Sequence, residues 1–332
     1  RDSLYTEEDY LNRSLFTKPE ILRSNLAEVI LRMIHLGLGD IAVFPFIDRP
    51  ADKSIKDGFR LLLELGAIRQ VQSGPDRGRK APHTGRRQTR KGAYALTAVG
   101  RLMAKLPLDP RLSKMIIEAH QRGCHKEITV IAAALSVQDP RERPAEKKQA
   151  AHEAQVVFTD PQSDFITLLN IWKRYNISAG SGRSAAKLKK FCKAHYLSFR
   201  RMREWIDIHH QITLILKENG LEDNKPGGGV NRSPRKTDQE KKRPDATFSE
   251  GYAAIHKSIL SGFLSNIAQQ KEKQFFKGAR EREVMVFPGS GLFKHPGAWI
   301  VAAEFVETSR LFARVVANID VNWLEALGGD QC

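Results

Sequence analysis

Cysteine is scarce in this chain. Cys124, Cys192 and Cys332 are the three among 332 residues, and no two form a Cys-x-x-Cys pair, which argues against a structural zinc site and a disulfide framework. Cys124 beside His125, and Cys192 near His195, are isolated pairs, and such pairs are far more often helix packing than metal ligands. A reducing cytoplasm is the simplest setting. No apolar run approaches the ~18 residues that cross a bilayer, and no signal peptide or membrane partner is expected. Phosphoryl-transfer signatures are missing too. There is no G-x-x-x-x-G-K-[ST], no Asp-Glu-Ala-His run and no arginine-finger motif, while Gly180-Ser181-Gly182 and Gly289-Ser290-Gly291 lack the following lysine and the preceding strand context. The chain is therefore not expected to hydrolyse a nucleotide, and no residue is assigned as catalytic or metal-binding.

Positive charge, by contrast, is abundant. The hydrophobic (41%) and charged (28%) fractions are ordinary, but the net charge is +16. Residues 73–92 hold seven Lys or Arg against Asp76, and residues 224–244 hold seven against Asp238 and Glu240, which is +6 and +5. Both segments are rich in Gly, Pro, Ser and Thr and poor in large apolar side chains, so burial cannot offset their ordering entropy. They read as flexible basic loops, either capturing a polyanion such as RNA or simply solvating the protein.

The pattern of the remainder divides in three. Thr17-Lys18-Pro19-Glu20 has capping-box form, and Leu22, Leu26, Val29, Ile30 and Met33 make one apolar helical face that Gly37 and Gly39 end. A second helix runs through Ile55, Phe59, Leu62 and Leu63 to Gly66, and short strands are expected at Ile68 to Val71 and Tyr94 to Thr97. Two helices and a strand pair suit a winged helix over 17–108, with the insert 73–92 at its tip; a helical pair with an incidental hairpin is the alternative. From Asp109-Pro110 the chain reads as a helical bundle over 109–220. Ile128 to Leu135 is apolar almost all round and so central to it, Ser163 caps another helix, and a single helix is expected from about Ala186 to Lys217. A basic linker over 221–249 leads to a region, 250–332, with a short helix from Tyr252 to Ile267. There the period then falls to two: Val284 and Val286; Trp299, Val301, Ala303 and Phe305; Leu311, Ala313, Val315 and Ala317. These strands, with Gly and Pro turns, indicate a small barrel. The fold class is multidomain α+β: winged helix, all-α bundle, then a small OB-like β-barrel.

Phe287-Pro288-Gly289-Ser290-Gly291-Leu292-Phe293-Lys294 followed by Trp299 to Arg310 reads as strand, glycine loop, strand, and resembles the C-terminal barrel of bacterial HrpA-like DEAH-box RNA helicases. The order of further motifs extends the likeness over nearly the whole chain. Asp2 to Tyr10, within 1–16, resembles the tail of that family's second RecA-like lobe. Leu36-Gly37-Leu38-Gly39-Asp40-Ile41 and Leu63-Glu64-Leu65-Gly66-Ala67-Ile68 resemble its winged helix. Leu106-Pro107-Leu108-Asp109-Pro110-Arg111-Leu112, Ser163 to Asn170 and Arg201-Met202-Arg203-Glu204-Trp205 resemble its "ratchet" bundle. The insert 73–92 is longer than the family's wing. The resemblance implies an accessory region that grips single-stranded RNA by its backbone, while RecA-like lobes of the same parent, absent from this sequence, bind ATP and Mg2+.

Backbone gripping needs cations and amides along a groove. In the barrel the candidates are Ser290, the amides of Gly289 and Gly291, and Lys294, Arg280 and Arg282; in the bundle, Arg200, Arg201, Asp164 and Asn170. A plain hairpin turn would also account for the glycines, and solvated or salt-bridged surface for the arginines. Two other functions remain open. One is a winged-helix DNA-binding regulator, although its reading helix offers little besides Lys56, Asp57 and Arg60. The other is a module that docks ribosomal particles or another partner.

Overall fold

The structure, a computed structural model, describes residues 26–71, 93–180, 184–221 and 248–328. The expected helix start at Thr17, the RecA-like tail, and the basic segments 73–92 and 224–244 lie outside these residues. The chain divides into two compact units, Arg1–Pro110 and Arg111–Cys332.

In the first unit, α1 (Ala27–Leu36) buries Ala27, Ile30, Leu31 and Met33 and stops at Gly37, whose φ of 67° is left-handed. Helix α2 (Asp52–Glu64) buries Ile55, Gly58, Leu61 and Leu62. Strands β1 (Ile68–Val71) and β2 (Ala93–Leu96) pair antiparallel, Ile68 opposite Leu96. Thr97 caps α3 (Ala98–Lys105): its Oγ1 accepts from the Gly100 amide at 2.9 Å and donates to the Gly66 carbonyl at 2.6 Å. That fold-back presses α3 onto the β1 entry so closely that a Cβ on Gly100 would run into the Ala67 carbonyl.

The second unit joins bundle and barrel. Its helices are α4 (Pro110–Gln121), α5 (His125–Leu135), α6 (Lys148–Val156), α7 (Asp164–Ala179), α8 (Ala185–Ala194), α9 (Phe199–Glu218) and α10 (Glu250–Phe263). Every residue of α5 from Ile128 to Ala134 is buried, because α7, α9 and α10 all pack on it. Trp205 of α9 is wholly buried and donates from Nε1 to the Val130 carbonyl at 2.9 Å. The single helix expected from Ala186 to Lys217 is two helices, α8 and α9. The chain turns at Tyr196 (φ 49°), and the Leu197 amide closes onto the Cys192 carbonyl at 2.9 Å. Apolar spacing runs on across the break, and a tyrosine in the left-handed region gives no glycine signal.

The strands are β3 (Ile267–Glu272), β4 (Phe275–Gly278), β5 (Glu283–Val286), β6 (Trp299–Glu307) and β7 (Leu311–Asn318), and α11 (Asn322–Gly328) follows them. They close into a barrel in the order β3-β4-β5-β7-β6, with β5 and β7 parallel and the remaining pairs antiparallel. In barrel order this is 1-2-3-5-4, with strand 4 closing back on strand 1. Strands β3 and β4 were not anticipated: in Ile-Ala-Gln-Gln-Lys-Glu only Ala268 is buried, so no apolar alternation marks β3. The β5 to β6 connection is no hairpin, since β7 stands between those strands. In β7 the inward residues are Ala313 and Val316, not Val315. Val315 takes φ 51°, a strained value for a β-branched residue, and shifts the inward phase by one. Ala317 and Val301 are buried as well, but outside the barrel's own core.

Candidate nucleic-acid interface

The glycine connection between β5 and β6 is held on two sides. Leu292 is fully buried and enters the barrel core beside Phe276, Val284, Val286 and Ile300, a burial that contributes about 1.5–3 kcal/mol. On its other side lies the bundle. The Gly291 amide donates to Asp164 Oδ1 at 2.9 Å, and the Val316 amide donates to Asp164 Oδ2 at 3.0 Å. Asp164, at the first position of α7, is 2% exposed, and each carboxylate oxygen is met by a barrel amide. A Cβ on Gly291 would stand 2.5 Å from the Asp160 carbonyl, so the close approach requires glycine. Arg143 donates from Nη2 to the Gly289 carbonyl at 3.0 Å. Ser290 is half-buried, and its Oγ accepts from the Leu292 amide at 3.1 Å.

A second set of buried polar groups lies beside this one. Ser163 Oγ caps α7 by accepting from the Ile166 amide at 3.2 Å, and stands 2.7 Å from His256 Nε2. His256 Nδ1 is 2.8 Å from the Tyr252 carbonyl, which can only accept, so the neutral ring carries its proton on Nδ1 and the Ser163 hydroxyl donates to Nε2. Burial pushes His256 down to about 4. The Tyr252 hydroxyl reaches two carbonyls, Gln162 at 2.8 Å and Asn318 at 2.9 Å, and burial raises its pKa. The Asn318 amide donates to the Gln162 carbonyl at 2.9 Å. Bundle and barrel are thus joined by hydrogen bonds from α7, α10 and β7, of which Ser163–His256 and Asp164–Val316 are buried.

The other sequence-predicted residues divide the same way. Asn170 donates to the Phe158 carbonyl at 3.0 Å, inside the bundle. Arg201 donates to the Asp139 carbonyl at 3.0 Å, next to a bidentate pair in which Arg141 binds Asp139 at 2.7 Å from Nη2. Burial alone would raise the Asp139 carboxyl, but Arg141 outweighs it and holds it below the usual range. Lys294, Arg282 and Arg200 are exposed. Arg280 lies in the short turn Ala279–Glu281.

The barrel's outer face over β4, β5 and β7 was not anticipated. Phe275 is paired across strands with Met285, and Met285 with Phe312, an outward row on the side opposite the buried Phe276, Val284 and Ala313. Phe312 meets Phe287 edge to face at 6.1 Å. Two guanidiniums lie over this row, Arg310 over Phe275 at 5.5 Å and Arg314 over Phe287 at 5.3 Å. Arg314 also pairs with Glu304 at 3.3 Å. Phe275, Glu283, Val284, Met285, Arg310 and Leu311 line a cleft of about 440 Å³. Aromatic faces interleaved with cations can stack bases and neutralise phosphates without reading sequence. The signal available in the sequence was Phe275-Phe276 and Arg310-Leu311-Phe312, legible only once β4 is recognised.

Among the described residues no group of three or more His, Cys, Asp or Glu converges as a metal site would need. Nor is any helix among them long and apolar enough to cross a membrane.

Comparison with known proteins agrees with this architecture. Residues 109–168 match the family described as helicase associated domain (HA2), ratchet-like, and residues 255–330 match the oligonucleotide/oligosaccharide-binding (OB)-fold family. The chain is 42% identical over 323 residues to the ATP-dependent RNA helicase HrpA of Escherichia coli (strain K12), an alignment covering 97% of this chain and 22% of that protein. It is 44% identical over 325 residues to the HrpA homolog of Haemophilus influenzae (strain ATCC 51907 / DSM 11121 / KW20 / Rd), covering 98% and 22%. The chain thus spans about a fifth of the length of these relatives.

Proposed function

This chain is a HrpA-like C-terminal accessory region, and from that premise we propose that it is the strand-gripping part of an ATP-dependent DEAH-box RNA helicase. It works in the cytoplasm with RecA-like lobes of a longer parent protein, which hydrolyse ATP with Mg2+ while this region holds single-stranded RNA. The observation that carries the reading is the row Phe275, Met285, Phe312 and Phe287 on a closed 1-2-3-5-4 barrel, overlaid by Arg310 and Arg314. Base faces stack on the phenylalanines, and Arg310, Arg282 and Lys294 neutralise phosphates. Neither contact depends on base identity, so the strand can advance through it. The first unit, two helices followed by a strand pair, suits a winged helix. Its use as a DNA reader is disfavoured, because α2 offers little besides Lys56, Asp57 and Arg60 to read base edges, and Arg60 and Asp57 form an exposed pair at 3.3 Å.

Fluorescence anisotropy with a labelled oligouridine across a salt series tests the proposal. Log affinity falls by ~0.7 per phosphate contact for each tenfold rise in salt, and Phe275→Ala with Arg310→Ala weakens binding without unfolding the chain. Salt-independent binding that ignores these substitutions would sink it. Co-purification with ribosomal particles, without affinity for any oligonucleotide, would favour a docking module instead.

A further inference from the structure

Between Asp164 and Glu204 the sequence contains no acidic residue and ten basic ones: Lys173, Arg174, Arg183, Lys187, Lys189, Lys190, Lys193, Arg200, Arg201 and Arg203. Most of this stretch is helical, in α7, α8 and α9. Helix α8 buries Leu188 and Cys192, four residues apart on one side. At 100° per residue, Lys190, Lys193 and Lys187 fan across the opposite arc and Lys189 stands at its edge; all four are exposed. Lys189 Nζ lies 5.6 Å from the Phe199 ring, which joins this lysine face to the start of α9. There, Arg200 and Arg201 occupy the first turn with no acidic residue, and Arg203 follows. Arg201 is engaged by the Asp139 carbonyl, while Arg200 and Arg203 are exposed.

This arrangement opposes local stability. Cations in a first turn face the positive end of the helix dipole, and like charges on neighbouring turns of α8 repel. Around the α8 lysines no acidic residue stands within one turn in sequence, so a cluster that breaks local rules there is one that an external anion would complete. Aromatic character separates it from the barrel face. Phe191 turns inward onto His195 at 4.4 Å and Tyr175 at 6.0 Å, and Phe199 lies beneath Lys189. Single-strand grooves combine cations with open stacking platforms, whereas a duplex keeps its bases stacked and offers only phosphates and sugars.

We propose that α8 and the start of α9 form a second nucleic-acid surface, which takes the phosphate backbone of double-stranded RNA while the barrel holds the single strand. This rests on the reading of the chain as an RNA-gripping region.

The test uses the whole chain with a blunt RNA duplex and, separately, an oligouridine. The triple variant Lys187→Gln, Lys190→Gln, Lys193→Gln leaves Lys189 on its ring, and circular dichroism confirms its helix content. Duplex affinity is expected to fall at least about tenfold, with the salt slope reduced by ~0.9 for each contact removed, and oligouridine affinity unchanged. Arg200→Gln with Arg203→Gln, on the other helix, gives a smaller loss of the same kind. Unchanged duplex affinity and slope in both variants would overturn the proposal, as would an equal loss for the oligouridine. Displacement of the duplex by polyglutamate at matched charge would assign the surface to acidic protein instead, and also overturn it. If the parent chain binds neither RNA, the strand-gripping function fails with it; if oligouridine binding responds only to the barrel variants and the duplex to neither set, this surface alone is wrong.

Discussion

Two sides of one barrel follow opposite rules. The side carrying Gly289, Ser290 and Gly291 is pressed against the bundle, and its polar groups are spent on internal bonds: the Gly291 amide on Asp164, the Gly289 carbonyl on Arg143. The side carrying Phe275, Met285 and Arg310 keeps its large side chains outward and its cleft open. The difference teaches that glycine, serine and exposed amides mark close backbone approach, and that the approaching partner can as well be another part of the chain as a ligand.

The largest expected effect breaks the inner side. Asp164→Ala orphans the half-buried Gly291 amide and the buried Val316 amide and costs about 3–5 kcal/mol. Urea unfolding followed by tryptophan fluorescence should show a lower midpoint and a barrel transition split from that of the bundle; a cooperative transition at the parent midpoint would show that the join does not depend on this carboxylate.

Acid attacks the same side through His256. Its folded pKa of about 4 lies below the ordinary 6.5, so the unfolded state takes up the proton first. Stability from this group is complete above pH 6.5 and is lost as pH falls toward 4, by on the order of 3 kcal/mol. Urea midpoints measured over that window should fall more steeply for the parent than for His256→Gln; parallel curves would remove the histidine from the account.

On the outer side, Phe275→Ala should weaken oligouridine binding by about 1–3 kcal/mol, the range for one stacked base, with the melting temperature nearly unchanged. Ser290→Ala sharpens the contrast. It removes the acceptor of one hydrogen bond, costs about 0.5–1.5 kcal/mol of stability and leaves RNA affinity alone. A large affinity loss there would move the strand to the glycine connection and merge the two sides. The smallest effect is that of exposed Lys294→Ala, a drop of ~0.7 in the salt slope if it meets a phosphate.

Much of this fold was legible because it depends on local spacing. The Ser163 cap, proline at the first position of α4, the burial of Ile128 to Ala134, and the stops at Gly37 and Gly66 each follow from residues a few positions apart. The break at Tyr196 escaped because tyrosine rarely takes a left-handed backbone, and β3 and β4 escaped because only one face of each short strand touches the core. For the candidate residues, type was legible in the sequence but direction was not: Lys294 and Arg282 are exposed, whereas Asp164, Asn170, Arg201 and Gly291 bond to other parts of the protein.

By itself, then, the sequence determined the order of helical and strand regions, the excess of positive charge and the absence of a phosphate-binding loop, all properties of composition and of periods shorter than a dozen residues. Only the tertiary structure decided where each polar group is directed. Asp164 meets Val316 across 152 positions, and Phe275, Met285 and Phe312 line up only when β5 and β7 lie side by side, because barrel closure and burial impose distances that no local pattern encodes.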